Sequence, residues 1–481
     1  MKSATILEQF TPLFAPKTIA VVGASTKGTA LPNVFIRRIR EFGYEGAIYP
    51  IHPSAAEIDG LPAYKSLGDT PQPVDYAYIA IAAAQIAALL TAGTGRVRFA
   101  QVISSGFGEV DEGRALQDEL AAAARAGGMR LLGPNCLGVY TPRGRVTFAE
   151  IGPREVGEVG IISQSGGLGT DIIRRGFSRG ITFSGLITVG NCADLGPTDI
   201  LEFYLADPQT KVIGMYIETA KDGRRLFETL REARARKPVV VLKGGRTKQG
   251  QAAAVSHTGS LAGDERVWLA LSRQTGCVLV DTLDQFIDTL LIFQALALHP
   301  ENPTKRVVLF GNGGGTSVLA TDYFARLGLD VLPFARPAIE ALAAMKLPPG
   351  TSITNPVDCP VGTLQQDDGR VAEKILDIIY EHGNPDALVM HLNLSAFAGR
   401  TKSEVLDNLV QAALRVQEQH PGKAHFVLVL RSDGEPRLEE RKREFRERAV
   451  ALGIPVYDEM ANAGHALAAL QAHERFVKAR R

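Results

Sequence analysis

The sequence predicts an α/β protein built from doubly wound parallel sheets. Short apolar runs typical of strands alternate with helical segments along nearly the whole chain, which is the pattern of parallel α/β folds. Glycine-bearing turns separate several of these strands from the helix that follows. A length of 481 residues exceeds what one hydrophobic core supports, so several domains are expected.

Composition and charge exclude several classes of protein. Hydrophobic residues make up 45% of the chain and charged residues 22%, as in ordinary globular proteins. The formal net charge is +1, so we expect neither nucleic acid nor an anionic membrane as a partner. The first residues, MKSATILEQFTPLFAP, lack an apolar core long enough for a signal peptide, and no apolar run approaches a membrane span. These features predict a cytoplasmic protein.

The cysteines are scattered through the chain, with neither CxxC pairing nor the spacing of metal ligands. We therefore expect reduced thiols of a cytosolic enzyme, and no metal site is predicted. The cysteines are Cys136, Cys192, Cys277 and Cys359.

A first domain is predicted over residues 1–145. The run TIAVVGASTKGTALPNVFIRRIREFG predicts a strand, a glycine-bearing turn and a helix. Later strands are predicted in GAIYPIHP, DYAYIAIA and FAQVISSGFGE, and RLLGPNCLGVY closes the domain near residue 140. The following stretch, TPRGRVTFAEIGPREVGE, is rich in Pro, Gly and Arg and marks a boundary.

Two further domains, 146–298 and 299–481, share an order of parts. One opens at VGIISQSGGLGTDIIRRG, and the other opens at RVVLFGNGGGTSVLATDYFARLG after the linker HPENPTK. Strands then match in pairs, KVIGMYIETA with DALVMHLNLSA and KPVVVLKGG with AHFVLVLRSDG, and each domain closes with a strand and an apolar helix. This pattern predicts a weak internal duplication of a flavodoxin-like domain. Glu218 of the first copy corresponds to Asn393 of the second, and SHTG has no counterpart in the second copy, so chemistry is assigned to the first copy.

The first glycine-bearing turn, VVGASTKG, favours a phosphate-bearing ligand. It follows a strand and opens a helix, so its backbone N–H groups can hold a phosphate at the helix N-terminus. The full GxGxxG spacing is missing, and the second strand ends in YPIHP without a carboxylate before Glu57. Because dinucleotide binding needs an acidic residue there for the ribose hydroxyls, an NAD-linked oxidoreductase is the weaker alternative. Coenzyme A carries phosphates without that requirement.

The segment AVSHTGSLAG places His257 among small, hydroxylated and glycine residues on a predicted loop. A lone histidine is more often structural than reactive. The alternative is that the small neighbours admit a bulky anion to the ring and that Gly259 and Gly263 let the loop move.

The segments VVGAST, GAIYPIHPSAAEIDGLPAYKSL, LLGPNCLGV, ISQSGGLG, GNCADLGPTDILEFYLADPQTKVI and SHTGSLAG occur in this order in one family. The chain resembles the α subunit of the NDP-forming acyl-CoA synthetases and is similar to the α chain of succinyl-CoA synthetase, but longer. The resemblance covers nearly everything from residue 15 to residue 470. It implies an N-terminal Rossmann-like, CoA-binding domain followed by two flavodoxin-like domains with doubly wound parallel sheets.

The resemblance also implies a reaction: acyl-CoA, ADP and phosphate interconvert with the free acid, CoA and ATP through an acyl phosphate and a phosphohistidine. In the family the nucleotide site lies on an ATP-grasp module. All three predicted domains of this sequence are already assigned to CoA-binding or flavodoxin-like folds. We therefore expect a separate ATP-grasp β subunit that binds ATP or ADP with Mg²⁺, in an α2β2 assembly. A non-catalytic CoA-binding or regulatory protein is the main alternative. The acyl group and the choice between ADP and GDP stay open.

The resemblance assigns two catalytic residues. The phosphorylated histidine of the family falls on His257, and the carboxylate that fixes its tautomer and balances its charge falls on Glu218. Where the succinate enzyme has an arginine between two serines this chain has Gln164, which disfavours a dicarboxylate substrate. The phosphate is expected to bind at the glycine-rich turn through Ser163, Ser165, Gly166, Gly167 and Leu168.

The predicted CoA contacts lie in turns that follow strands of the first domain. Ordinary turn chemistry explains Ser104 and Ser105 equally well, and Cys136 is expected to be a small packing residue and not a nucleophile. Gly28 is expected to open the first helix. The contacts carried over are Gly23, Ala24, Ser25, Lys27, Gly28, Pro53, Ile103, Ser104, Ser105, Asn135 and Cys136.

Overall fold

The protein is described by a computed structural model that covers residues 2–258, 264–397 and 403–480, with side chains for all of these except 2–3, 254–258 and 403–404. Contacts within the chain divide it into two units, Met1–Phe286 and Ile287–Arg481. The first unit contains two parallel-stranded sheets, and the second unit contains one.

The first sheet of the first unit is fully parallel, with strand order β2-β1-β5-β6-β7. All residues of β1 are buried, because helices cover both faces of a doubly wound sheet. The elements are α1 (Lys2–Phe14), β1 (Thr18–Val22), α2 (Leu31–Phe42), β2 (Ala47–Ile51), β3 (Glu57–Ile58), β4 (Leu61–Pro62), β5 (Val74–Ile79), α3 (Ala83–Ala92), β6 (Val97–Val102), α4 (Arg114–Ala126) and β7 (Arg130–Leu132).

The second sheet has the order β13-β12-β11-β9-β10-β8, in which only β8 is antiparallel to its neighbour. Its elements are β8 (Val139–Tyr140), β9 (Val159–Ser163), α5 (Gly166–Ser178), β10 (Phe183–Thr188), α6 (Pro197–Ala206), β11 (Val212–Ile217), α7 (Gly223–Ala233), β12 (Val239–Lys243), α8 (Lys248–Thr258), α9 (Glu265–Thr275), β13 (Val278–Val280) and α10 (Leu283–Ala295).

The second unit carries a parallel sheet of order β15-β14-β16-β17-β18. Its elements are β14 (Val307–Gly311), α11 (Gly314–Arg326), α12 (Arg336–Ala344), β15 (Val357–Asp358), α13 (Val361–Leu364), α14 (Val371–Ile378), β16 (Ala387–Asn393), α15 (Ser403–Gln419), β17 (His425–Arg431), α16 (Pro436–Ala451), β18 (Val456–Tyr457) and α17 (Met460–Arg480).

The strand orders confirm the predicted fold class. If the five principal parallel strands of each sheet are numbered along the chain, all three sheets have the order 2-1-3-4-5 of doubly wound, flavodoxin-like folds. The predicted duplication also holds in detail. Tyr216 pairs with Ser163 in the second sheet and His391 pairs with Gly311 in the third, so Glu218 and Asn393 occupy equivalent positions. The bounds of the three domains remain predictions.

Two local features differ from the sequence-based expectations. The run RLLGPNCLGVY lies within the predicted first domain, but its last two residues form β8, which pairs with β10 of the second sheet. Gly138, with φ +101°, turns the chain between the two sheets. The helix that follows the first glycine-bearing turn, α2, begins at Leu31 and not at Gly28, because Gly28 has φ +71° and Pro32 occupies the first helical turn.

No helix among the described residues is both long enough and apolar enough to cross a membrane.

Gly23 offers a test of the packing at the edge of the first sheet. It has φ +97°, and a Cβ there would lie 2.3 Å from the carbonyl oxygen of Ala80. Gly60 has φ +77° with open space around its Cβ position, so Gly60→Ala measures the backbone strain alone. We expect Gly60→Ala to lower the free energy of unfolding by ~1–2 kcal/mol and Gly23→Ala by roughly 2–5 kcal/mol. Urea denaturation measures both values, and equal losses would contradict the close approach.

Candidate active site

The first turn is held rigidly by its own backbone contacts. Asn33 is fully buried and its side-chain amide accepts from Ser25 N at 2.8 Å and donates to Ser25 O at 3.0 Å. The N–H groups of Lys27 and Gly28 donate to the hydroxyl and the carbonyl oxygen of Ser25 at 3.2 Å and 3.1 Å. These three N–H groups therefore have acceptors inside the turn, and the contacts of the turn with the phosphates of CoA remain predictions. Ala24 is buried, whereas the side chain of Lys27 is exposed.

The other predicted CoA contacts of the first sheet lie in turns at the same edge. The hydroxyl of Ser104 donates to Ile81 O at 2.6 Å, which is the ordinary turn chemistry considered for this residue. Ser105 and Pro53 are exposed, and Ile103 is half-buried. Because the carboxyl ends of parallel strands share one edge, these residues form one surface.

Asn135 and Cys136 connect this surface to the second sheet. The N–H of Asn135 donates to Ser104 O at 3.1 Å, and its side-chain amide lies 3.4 Å from Oδ1 of Asn191. Cys136 is buried, and burial raises the pKa of its thiol to about 12. Leu137 packs so tightly on Gly166 that a Cβ at Gly166 would lie 2.7 Å from Leu137 Cγ. The end of the predicted CoA surface therefore adjoins the predicted phosphate-binding turn.

The glycine-rich turn presents two N–H groups. Ser163 Oγ donates to Ser165 O at 2.7 Å, and Ser165 Oγ caps helix α5 by accepting from Leu168 N at 3.3 Å. Those hydroxyls and the Leu168 N–H thus build the turn itself. Gly166 and Gly167 begin the helix, so their N–H groups have no partner within it and point along the positive end of its dipole. A Cβ at Gly167 would meet open space, so an anion can approach there.

Glu218 lies just beyond the end of β11, at the same edge. Its side chain is 5% exposed, and Tyr216 donates its hydroxyl to Glu218 Oε1 at 2.9 Å. Burial and the nearby Glu218 charge raise the pKa of Tyr216, so its hydroxyl remains a donor. The two side chains share one side of the sheet because residues i and i+2 of a strand point the same way.

Gln164 ties Glu218 to the glycine-rich turn. Its side-chain oxygen accepts from the N–H groups of both Glu218 and Thr219, the latter at 2.9 Å. Its own N–H donates to Tyr216 O at 3.1 Å. Gln164 is therefore a brace between β9 and β11, a role that the comparison with an arginine-containing turn did not suggest.

Lys243 is a buried cation that the sequence analysis missed. It ends β12, is 5% exposed, and donates through Nζ to Glu218 O at 2.7 Å and to Gly244 O. Burial lowers its pKa to about 8, and the charge of Glu218 opposes that shift. The available signal was a lysine at the end of the apolar run KPVVVLKGG, where a solvated strand end is the usual explanation.

The backbone of His257 lies in the last turn of helix α8, so the segment from Ala254 to Thr258 is helical and not part of a loop as predicted. The run QAAA favours this extension, since alanine and glutamine are good helix formers. The side chain of His257, like residues 259–263, lies outside the described part of the chain.

No group of three or more His, Cys, Asp or Glu side chains within the described ranges is arranged to hold a metal ion.

Comparison with known proteins gives a consistent family. A family model for a CoA binding domain matches residues 17–142, and one for a succinyl-CoA ligase like flavodoxin domain matches residues 156–293. The chain is 35% identical to the α subunit of ADP-forming acetate–CoA ligase II of Pyrococcus furiosus, over 94% of this chain and 96% of that one. It is 36% identical to the α subunit of isoenzyme I of the same organism, over 95% and 96%.

The chain belongs to the family of the ADP-forming acetate–CoA ligase α subunits. A solved structure agrees: the dinucleotide-forming acetyl-coenzyme A synthetase 1 of Candidatus Korarchaeum cryptofilum, in complex with phosphate and ADP, has a TM-score of 0.83 and 30% identity over 98% of both chains. The resemblance drawn from the sequence motifs is confirmed, and so is the class of enzyme, a ligase. The roles assigned to single residues remain predictions.

The burial of the four cysteines leads to a testable prediction. All four are buried and free, and burial raises the pKa of Cys136 and Cys359 to about 12 and of Cys192 and Cys277 to about 11. At pH 8 the thiolate fraction is then about one thousandth or less. We expect no reaction of the folded chain with a disulfide reagent within minutes, and four thiols after unfolding in urea.

A Glu8→Cys variant, which puts a thiol at an exposed position, is the control and should react at once with one equivalent. Rapid reaction of a native thiol would contradict the burial.

Proposed function

We propose that this chain is the catalytic α subunit of an ADP-forming acyl-CoA synthetase. It interconverts acyl-CoA, ADP and phosphate with the carboxylic acid, CoA and ATP, together with an ATP-grasp β subunit in an α2β2 assembly. Coenzyme A binds along the carboxyl edge of the first sheet, and ATP or ADP with Mg²⁺ binds on the partner. A cytoplasmic location belongs to the same proposal.

The proposal rests on three features that adjoin one another in the first unit: the predicted CoA surface, the glycine-rich turn and Glu218. The surface ending at Asn135 and Leu137 adjoins the turn at Gly166, and Gln164 of that turn holds Glu218. A thioester brought along the first surface therefore ends beside N–H groups suited to phosphate and beside a buried carboxylate. An NAD-linked dehydrogenase is disfavoured, since β2 ends at Ile51 and the chain continues with His52 and Pro53 where a ribose-binding carboxylate is needed.

The reaction proceeds in three displacements. A phosphate oxygen attacks the thioester carbonyl carbon, the C–S bond breaks, and CoA leaves as the thiol after taking a proton. A neutral nitrogen of His257 then attacks phosphorus, the bond between phosphorus and the acyl oxygen breaks, and the carboxylate leaves. Finally a terminal oxygen of ADP attacks phosphorus, the P–N bond breaks, and ATP forms on the partner. Gly166 and Gly167 stabilise the phosphate charge, and Glu218 accepts the second ring N–H and balances the phospho-imidazole cation.

The first half of this chemistry needs no ADP and tests the proposal directly. We expect the full chain to take up ³²P from labelled acetyl phosphate, giving an acid-labile, base-stable adduct that His257→Ala abolishes. His382→Ala, which changes an exposed histidine of the second unit, should retain the label. ATP should then form on adding ADP only when a β chain is present.

Label that persists in His257→Ala would overturn the assignment of the phosphorylated residue. ATP formation by this chain alone would show that it carries a nucleotide site of its own. A chain that binds CoA but takes no label with or without a β chain would support the non-catalytic alternative.

Glu218 is expected to act through its charge. Glu218→Gln keeps an oxygen that accepts from Tyr216, so the fold should be intact, but an amide cannot balance the cationic ring. Transfer from acyl phosphate to the histidine should slow by ~10²–10⁴. Glu202→Gln, which removes a surface carboxylate paired with Arg225 in the same unit, should react at the original rate. Single-turnover quench measurements compare the three proteins, and an unchanged rate in Glu218→Gln would contradict its role.

A further inference from the structure

Asn191, in the turn after β10, connects the second sheet with the predicted CoA surface of the first. Its backbone N–H donates to Pro134 O at 3.0 Å, and the N–H of Ala193 donates to Gly133 O at 2.9 Å. Gly190 approaches the same segment so closely that a Cβ there would lie 2.3 Å from Pro134 O. The backbone therefore fixes Asn191 beside the end of the CoA surface.

The side-chain amide of Asn191 contacts two parts of that surface. Its NH2 group carries two hydrogens, and two acceptors lie within reach, Glu109 Oε2 at 2.5 Å and Gln117 Oε1 at 3.1 Å. Its oxygen Oδ1 lies 3.4 Å from Nδ2 of Asn135, a predicted CoA contact. One amide thus holds Glu109 and Asn135 at a fixed separation.

Glu109 gives the loop between β6 and α4 its shape. Its Oε1 accepts from Gly106 N at 2.5 Å and from Phe107 N at 3.2 Å, while Oε2 accepts from Asn191. Burial disfavours the charged carboxylate, but these hydrogen bonds outweigh burial and lower the pKa of Glu109. The same loop carries Ser105, a predicted CoA contact with an exposed side chain. Glu109 therefore shapes the loop, and Asn191 determines where the loop lies.

The turn that contains Asn191 also contacts the segment that follows Glu218. Lys221 donates through Nζ to the carbonyl oxygens of Asn191 and Cys192 at 3.0 Å and 3.1 Å. The turn thus adjoins both the CoA surface and the end of β11. The reaction steps above assign no task to Asn191.

We propose that Asn191 is a positioning residue for the thioester end of coenzyme A. Through Glu109 it places the loop that carries Ser105, and through its own oxygen it holds Asn135, so both predicted contacts border one space. A loop that is not held in place must be ordered when CoA binds, and that ordering lowers the affinity. The inference rests on the proposed function for the place of CoA, but it needs neither ADP nor a partner subunit.

Exchanging the amide and the carboxylate tests the proposal. Asn191→Asp sets two carboxylates against each other, and we expect it to weaken CoA binding at least about tenfold. Glu109→Gln keeps an oxygen for Gly106 N and Phe107 N but turns an NH2 group towards Asn191, so it should weaken binding less. The double variant again pairs a donor with an acceptor, and should bind CoA within about threefold of the original chain. Calorimetric titration of CoA into each full chain measures the four dissociation constants.

Asn462→Asp is the matched control. Asn462 Nδ2 donates to Asp288 Oδ2 at 2.5 Å within the second unit, so the substitution creates the same repulsion between two carboxylates there. We expect Asn462→Asp and Asn191→Asp both to unfold at a lower urea concentration. Only Asn191→Asp should change the dissociation constant of CoA, which a merely structural contact would not alter.

Four results would overturn the inference: an original chain that binds no CoA, undiminished binding in Asn191→Asp, an equal loss in Asn462→Asp, or a double variant that binds no more tightly than Asn191→Asp. If Asn191→Asp does not fold, a double variant that binds no more tightly than Glu109→Gln overturns it.

Failure of the proposed function is recognised separately. If His257 takes up label from acetyl phosphate while Asn191→Asp binds CoA as tightly as the original chain, the reaction stands and the role of Asn191 falls. If the exchange restores CoA binding as expected but no label forms, the role of Asn191 stands and the reaction falls.

Discussion

The side-chain amide of Gln164 holds together the parts on which the candidate active site depends. Its oxygen accepts the N–H groups of Glu218 and Thr219, while the backbone N–H of Gln164 donates to Tyr216 O. A turn built from glycines has little rigidity of its own, and a buried N–H without an acceptor costs about 1–3 kcal/mol. The side-chain amide of Gln164 makes the turn rigid and also gives the N–H groups of Glu218 and Thr219 an acceptor. It fixes the ends of β9 and β11, and so fixes the carboxylate of Glu218 near the N-terminus of helix α5.

The second unit contains an equivalent hydrogen bond between a side-chain oxygen and a strand end, but it lacks the two charged residues. Asn312 follows β14 as Gln164 follows β9, and its side-chain oxygen accepts from Asn393 N at 2.8 Å. The strand registers place Asn393 at the position of Glu218 and Leu430 at the position of Lys243. The backbone frame of the turn has therefore been kept in both copies. The buried anion and cation belong to the first copy alone, which agrees with assigning the chemistry there.

Burial makes Lys243 and Glu218 dependent on each other. A charge without water needs a partner, since its desolvation is otherwise uncompensated. Lys243 donates to the carbonyl oxygen of Glu218, and the negative charge of the Glu218 carboxylate opposes the lowering of its pKa by burial. The two residues thus form one polar cluster where β11 and β12 end.

Local patterns in the sequence determined the fold class, the order of strands and helices, and the family. Apolar runs, glycine turns and ordered motifs are formed by residues close together in the sequence, so they can be detected without a structure. The correspondence of Glu218 with Asn393 followed from comparing the strand-like segments of the two related domains. The sequence predicted helix boundaries less well: helix α8 runs through Thr258, and helix α2 starts at Leu31. At a helix end, capping and intrinsic helix propensity compete over a few residues.

Only the tertiary structure decided which distant residues meet. Gln164 reaches residues 54 and 55 positions away, and Leu137 packs on Gly166 at the start of helix α5. The burial of Lys243 depends on the residues that pack around it in the folded chain. The pairing of β8 with the second sheet likewise depends on the position of β10 in the fold. Such contacts join segments that the sequence separates, and their energies come from burial and hydrogen bonding that exist only once the sheets are packed.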